Sequence, residues 1–187
     1  MTRQPPDTDG PSRSLPAVGR HVLTADGGLR DLRAADHLLR TLAAELALRD
    51  DVFGCTHLVR GDRPRVAVSL ALGSAAEADG VRTRLAAEGY DLADGTPDAV
   101  GRAVLFPGAD RLRGTLTVGQ VLEISAVERV TVLGARGQPA PAQMLLTRDH
   151  VRPQWEDGVL TLTAMPAVGG VLVPFEVPEP TPCCADH

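Results

Sequence analysis

Arg65-Val-Ala-Val-Ser-Leu-Ala-Leu72 is the stretch that decides the fold. Val66, Val68, Leu70 and Leu72 share one face at period two, and Ala67, Ser69 and Ala71 share the other, which is the pattern of a strand. Directly after it, Ser74-Ala-Ala-Glu77 reads as a capping box, with the serine oxygen accepting from the Glu77 amide and the glutamate reaching back. Ala78, Val81 and Leu85 then form a helical stripe, and Gly89 stands where a left-handed C-terminal cap is wanted. A strand followed by a capped helix therefore anchors the first half.

Toward the N-terminus, Arg60-Gly-Asp-Arg-Pro64 is a hairpin-like turn leading back to a strand over residues 52–59. Before it, Leu32, Ala35, Leu39, Leu42 and Leu46 recur at spacings of three and four, so a helix is expected from Leu29 to about Arg49. His21-Val-Leu-Thr24 offers a short strand, and Tyr90-Asp-Leu92 opens another. Helix, strand, strand, helix, strand predicts helices on one face of an antiparallel sheet, as in ferredoxin-like units.

Ala93-Asp-Gly-Thr-Pro-Asp98 is a polar break, and the residues beyond it read as β-rich. Thr117-Val-Gly-Gln120 forms a second capping box on a short helix, and Arg129-Val-Thr-Val-Leu133 is a strand. Further strands are expected over residues 143–147, 159–164 and 171–177, the last at a sheet edge because Pro174 interrupts it. The expected class is α+β: a ferredoxin-like half, then a smaller β-rich half with an extended proline-rich C-terminal arm. The boundaries are 1–27 for a disordered N-terminal segment, 28–95 for the ferredoxin-like half, 99–177 for the β-rich half, and 178–187 for the Pro/Cys tail.

Composition excludes several functions. The chain of 187 residues carries a formal net charge of −5, and all 19 of its Lys and Arg residues are arginine. The absence of lysine removes any Schiff-base nucleophile. No basic run with interleaved aromatics points to nucleic acid. No apolar run is long enough for a membrane span. Met1-Thr-Arg-Gln-Pro-Pro6 lacks the apolar stretch of a signal peptide, and three cysteines argue for a reducing compartment, so a cytoplasmic protein is expected.

The C-terminal residues are chemically the most unusual. Pro174, Pro178, Pro180 and Pro182 hold the arm extended, which suits it to dock on a partner at low entropic cost. Phe175, Val177, Pro178 and Pro180 are the partner-binding candidates, since apolar residues on a free tail would face water. The tail closes with Cys183, Cys184 and His187. Neighbouring Cα atoms about 3.8 Å apart are too close for an ordinary disulfide. Two thiolates and an imidazole suit zinc or copper(I), although the CC-x-x-H spacing matches no known zinc signature.

Catalytic signals are sparse. The chain has no GxGxxG or GxxxxGK[ST] loop in strand–helix context, and Gly73-Ser74 lacks a nucleophile elbow. Cys55 and His57 share one face of a strand and read as structural. His37 reads as a solvated helix residue. Asp149-His150, near Trp155-Glu-Asp157, is the most polar loop with an aromatic in it, and a carboxylate–histidine pair there suits acid–base work. No catalytic residue is assigned, and the balance is against an enzyme.

Residues 112–133, Leu112-Arg-Gly-Thr-Leu-Thr-Val-Gly-Gln-Val-Leu-Glu-Ile-Ser-Ala-Val-Glu-Arg-Val-Thr-Val-Leu133, resemble a stretch near the C-terminal end of baseplate J-type proteins of contractile phage tails and tail-like injection systems. The resemblance is carried by a glycine-led turn, a short helix and a valine-rich strand, covers about a fifth to a quarter of the chain, and extends loosely to Arg65–Leu72 and the helix after it. It implies a structural assembly role and supplies no catalytic residues. The function expected is thus a non-catalytic interaction or assembly protein that engages a protein partner, or another copy, through its C-terminal strand and arm. The alternative is soft-metal or thiol chemistry at Cys183, Cys184 and His187.

Overall fold

The computed structural model describes residues 20–98, 100–156 and 158–178. The first part runs β1 (His21–Leu29), α1 (Leu32–Glu45), β2 (Phe53–Val59), β3 (Arg65–Leu72), α2 (Ala75–Ala87) and β4 (Asp91–Asp94). The strands lie in the order β4-β1-β3-β2, all antiparallel to their neighbours. This is the βαββαβ arrangement that the strand and helix periodicities predict. The chain continues with β5 (Arg102–Leu105), β6 (Thr115–Thr117), α3 (Val118–Ile124), β7 (Arg129–Val132), β8 (Met144–Leu146), β9 (Gln154–Glu156), β10 (Val159–Pro166) and β11 (Leu172–Pro174). The class is α+β, with a mostly antiparallel sheet.

Both faces of β3 are buried, for different reasons. Val66, Val68, Leu70 and Leu72 join Ala35, Leu39 and Leu42 of α1 and Ala78, Val81 and Leu85 of α2 in one core. On the other face Ala71 joins Phe53 and Cys55 of β2 in a second core, with Leu145, Trp155, Leu160, Leu162 and Leu172 from the later strands. The small residues expected on that face leave room for the β-rich part to close over it. Phe53 and Trp155 meet there with ring centroids 5.6 Å apart and tilted, a geometry the ring quadrupoles favour. The sheet itself runs through the seam, because β5 pairs with β2 on one side and with β9 on the other.

The helix starts follow their caps. Asp31 accepts from the Ala34 amide and starts α1 two residues after β1 ends, so Leu29 belongs to the strand and not to the helix. At α2, Ser74 accepts from the Glu77 amide, but the Glu77 carboxylate meets the Ser74 hydroxyl and not the backbone, so only half of the expected box forms. Thr117 and Gln120 complete both halves of theirs at α3. Gly89, with φ 80°, ends α2 as expected.

Three expectations change. Residues 20–27 are not disordered: β1 covers His21–Leu29 and pairs with both β3 and β4. Asp26-Gly-Gly28 hid its length, since those residues fall where the pairing with β3 shifts register between Ala25 and Leu29. The strand over 171–177 is shorter, Leu172–Pro174, and lies between β10 and β8 rather than at an edge. Pro174 is tolerated because it is the last residue of the strand, where a missing amide costs least. The short strand β9 forms inside what reads as one polar loop, with buried Trp155 flanked by exposed Gln154 and Glu156. Residues 179–187 lie outside the described residues. No helix among the described residues is long and apolar enough to cross a membrane.

Two glycines separate backbone strain from steric overlap. Gly89 and Gly108 both have positive φ, but a Cβ at Gly89 meets nothing within 4 Å, whereas one at Gly108 would overlap the Ile124 carbonyl oxygen. Gly89→Ala should therefore cost about 1–2 kcal/mol, and Gly108→Ala about 3 kcal/mol or more. Chemical denaturation of the two variants checks this, and equal losses would show that Gly108 is not tightly packed.

Candidate functional site

Asp36 is an acid on the apolar stripe of α1, four residues after Leu32 and three before Leu39, and it is 5% exposed. A buried carboxylate needs partners. Arg102 of β5 supplies one, with Nη1 donating to Asp36 Oδ1 at 2.5 Å and Nη2 to Oδ2 at 3.3 Å. Arg152, just before β9, supplies another through Nε at 3.0 Å from Oδ2. The opposite edge of the Arg102 guanidinium grips Glu176, with Nε 2.7 Å from Oε2 and Nη2 2.5 Å from Oε1. His150 Nε2 lies 3.0 Å from the same Oε1. Five side chains from α1, β5, the loop between β8 and β9, and the segment after β11 thus form one network.

The electrostatics follow from burial and pairing. Burial pushes the Asp36 carboxyl up, but the hydrogen bond from Arg102 and the charges of Arg152 and Arg102 outweigh it and hold it below its usual range. Glu176 is likewise pushed up by burial and then held low by Arg102 and His150. Burial would lower the pKa of Arg102, yet its two carboxylates raise it. Arg152 has one carboxylate and two neighbouring cations, so burial prevails there and its pKa falls. Burial also lowers the pKa of His150, against the hydrogen bond to Glu176.

This network floors a cleft of about 980 Å³. Asp31, which caps α1, and Leu32, Arg33 and Arg40 of the helix form one wall, and Phe175, Val177 and Pro178 form the other. Phe175 is 57% exposed although its neighbour Glu176 is clamped. Of the partner-binding residues expected from the sequence, Phe175, Val177 and Pro178 line this cleft, and Pro180 lies outside the described residues. Cys183, Cys184 and His187 lie outside them too. Among the described residues no group of three His, Cys, Asp or Glu side chains could hold a metal ion.

The polar loop singled out in the sequence supplies the histidine of a carboxylate–histidine pair, but the carboxylate comes from outside the loop. Asp149 accepts from the Gly114 amide, and the carboxylate at His150 is Glu176. Arg148 and Asp149 both have positive φ, 54° and 52°, and so the backbone is strained where it delivers His150 to the cleft. His37 is exposed, as expected.

A second constellation was invisible in sequence. His57 Nδ1 lies 2.7 Å from Asp98 Oδ1 and Nε2 lies 2.7 Å from Ser69 Oγ, the acid–imidazole–hydroxyl order of a nucleophile triad. With the ring proton on Nδ1, both polar atoms of the ring are satisfied. A reacting oxygen must also be reached, and Ser69 is 2% exposed in the middle of β3, between β1 and β2. Gly101 covers the imidazole, where a Cβ would come within 3.1 Å of His57 Cε1. The set ties the β4–β5 connection to the sheet and leaves no room for a substrate. Beside it Cys55 is buried, which pushes its thiol up to about 12 and leaves it unreactive.

The chain matches no model of a known protein family, no curated protein and no solved structure.

The network sets the acid response of the fold. Asp36 and Glu176 have folded pKa values below their unfolded ones, so their stabilisation is complete above the unfolded values and is lost as pH falls through the folded ones. His150, also held low, acts in the same direction, because the unfolded chain takes up its proton first. Stability should begin to fall as pH drops below about 6.5 and fall more steeply below about 4.5. Urea midpoints across this range check it, and midpoints that rise on acidification would show that the network does not govern the response.

Proposed function

We propose that this is a non-catalytic interaction protein that engages a partner polypeptide at the cleft between α1 and the segment over residues 175–178. The observation that carries the reading is Phe175, held outward at 57% exposure by a neighbour, Glu176, that is fixed by Arg102 and His150. An exposed aromatic on a preorganised backbone binds at low entropic cost and has the chemistry of an interface hot spot. Val177 and Pro178 extend the apolar surface, and Arg33 and Arg40 give it a basic rim. The strand β11 is already paired on both sides, so the contact belongs to the segment that follows it and not to strand addition. The resemblance of residues 112–133 to baseplate J-type proteins points the same way, toward a role in assembly. The alternative of zinc or copper at Cys183, Cys184 and His187 concerns residues outside the described part.

A photo-crosslinking amino acid at position 175, compared with one at the fully exposed Val168, locates the contact. A defined partner should crosslink from 175 and not from 168. Phe175→Ala should then weaken that partner's affinity by about 30-fold or more, the scale of a hot-spot aromatic. Cys183→Ser combined with Cys184→Ser should leave it within about twofold. A partner that binds the Phe175→Ala variant as tightly as the wild type would overturn this reading.

A further inference from the structure

Glu176 is held as a ligand would be. Its carboxylate takes two parallel bonds from the Arg102 fork and a third from His150, the bidentate geometry by which arginine recognises carboxylates. The donors are fixed without its help. Arg102 Nη1 is held by Asp36 and by Thr56 Oγ1 at 3.3 Å, Asp36 is held in turn by Arg152, and the Arg102 backbone is paired on both sides in β5. The His150 amide donates to the Thr147 carbonyl at 3.1 Å. If Glu176 left, a preformed fork would remain.

Apart from the Glu176 carboxylate, the segment after β11 is anchored by one backbone bond. The Phe175 amide donates to Thr163 O at 2.9 Å, and the Phe175 and Pro178 side chains face solvent. A receptor whose donors are fixed independently of its occupant makes an exchangeable pair. The charges agree: with Glu176 gone, the cleft retains Arg33, Arg40, Arg102 and Arg152 against Asp31 and Asp36.

We infer that Arg102 and His150 form a carboxylate-recognition site, which Glu176 fills in the unbound protein and which the partner polypeptide takes by presenting an acidic side chain flanked by apolar residues. This rests on the interaction reading above and names the chemistry of the contact. A tethered carboxylate competes at an effective concentration in the millimolar range, so a lone carboxylate does not displace it. An acidic residue with apolar neighbours does, because those neighbours also pack against the outward-facing Phe175 and Val177. The segment thus sets a threshold that weak anions fail.

The probe is a labelled peptide with the chain's own residues 172–178, whose glutamate fits the fork by construction of the fold. Anisotropy titrations compare the full wild-type chain with Glu176→Gln. The peptide should bind the variant about tenfold or more tightly than the wild type, since the variant site is no longer occupied in cis. A peptide with glutamine at the glutamate position should lose about tenfold or more on the variant, because the charge-assisted bonds are gone. In the wild type, saturating peptide should raise deuterium uptake at the 175–177 amides, and the glutamine peptide should not; this arm does not depend on the variant folding. Equal affinity for both chains, or flat uptake at saturation, would overturn the inference. A partner that crosslinks at position 175 without competition from the peptide would remove the carboxylate claim and leave the interaction reading standing.

Discussion

One buried carboxylate, Asp36, sits between the guanidiniums of Arg102 and Arg152, and the seam of the molecule depends on it. Each partner comes from a different place: α1, the strand that joins the two parts of the sheet, and the chain just before β9. Burying such charges is costly, and the pairing offsets that cost without yielding much net stability. What it does yield is a fixed arrangement. Removing one member leaves uncompensated buried charge, so the helix, the seam strand and the β9 approach are held to one geometry.

The cleft follows from that geometry. Arg102 is oriented by Asp36 on one edge, so its other edge is presented toward Glu176 at the surface. Phe175 faces outward because its neighbour faces in. The packing beneath permits this, since Ala71 and the other small residues of β3 let the β-rich part approach closely and bring Trp155 against Phe53. The cleft is thus built from residues whose positions are set by contacts made well below it.

The sequence made some of this legible. The alternation in Arg65–Leu72 and the serine and threonine caps are local signals, and local signals specify local structure, so β3, α2 and α3 lie where they are expected. The order of helices and strands then limits the first part to few topologies. The length of β1 was not legible, because Asp26-Gly-Gly28 looks like a break and is a register shift held by tertiary pairing. The interior place of β11 was hidden for a similar reason, since Pro174 marks an edge only when it falls inside a strand. Phe175, Val177 and Pro178 stood out as apolar residues near the chain's end, but the network beside them did not. Its members are separated by up to 140 positions, and pairing at that distance leaves no spacing pattern. One signal was present: Asp36 lies at helical spacing from Leu32 and Leu39, on a stripe where an acid requires a buried partner. The triad-like set of His57, Ser69 and Asp98 shows the converse, a suggestive chemistry that exposure alone disqualifies.

The measurement that bears most directly on this account is a double-mutant cycle on Asp36→Asn and Arg152→Met, read by urea unfolding. Asp36→Asn alone should cost about 3–5 kcal/mol, because it leaves two buried guanidiniums short of a counter-charge. If the pair locks the seam, the double variant should lose less than the sum of the singles, by about 1–3 kcal/mol. Losses that add to within about 0.5 kcal/mol would mean that the two residues act independently, and the network would not be what holds the parts together.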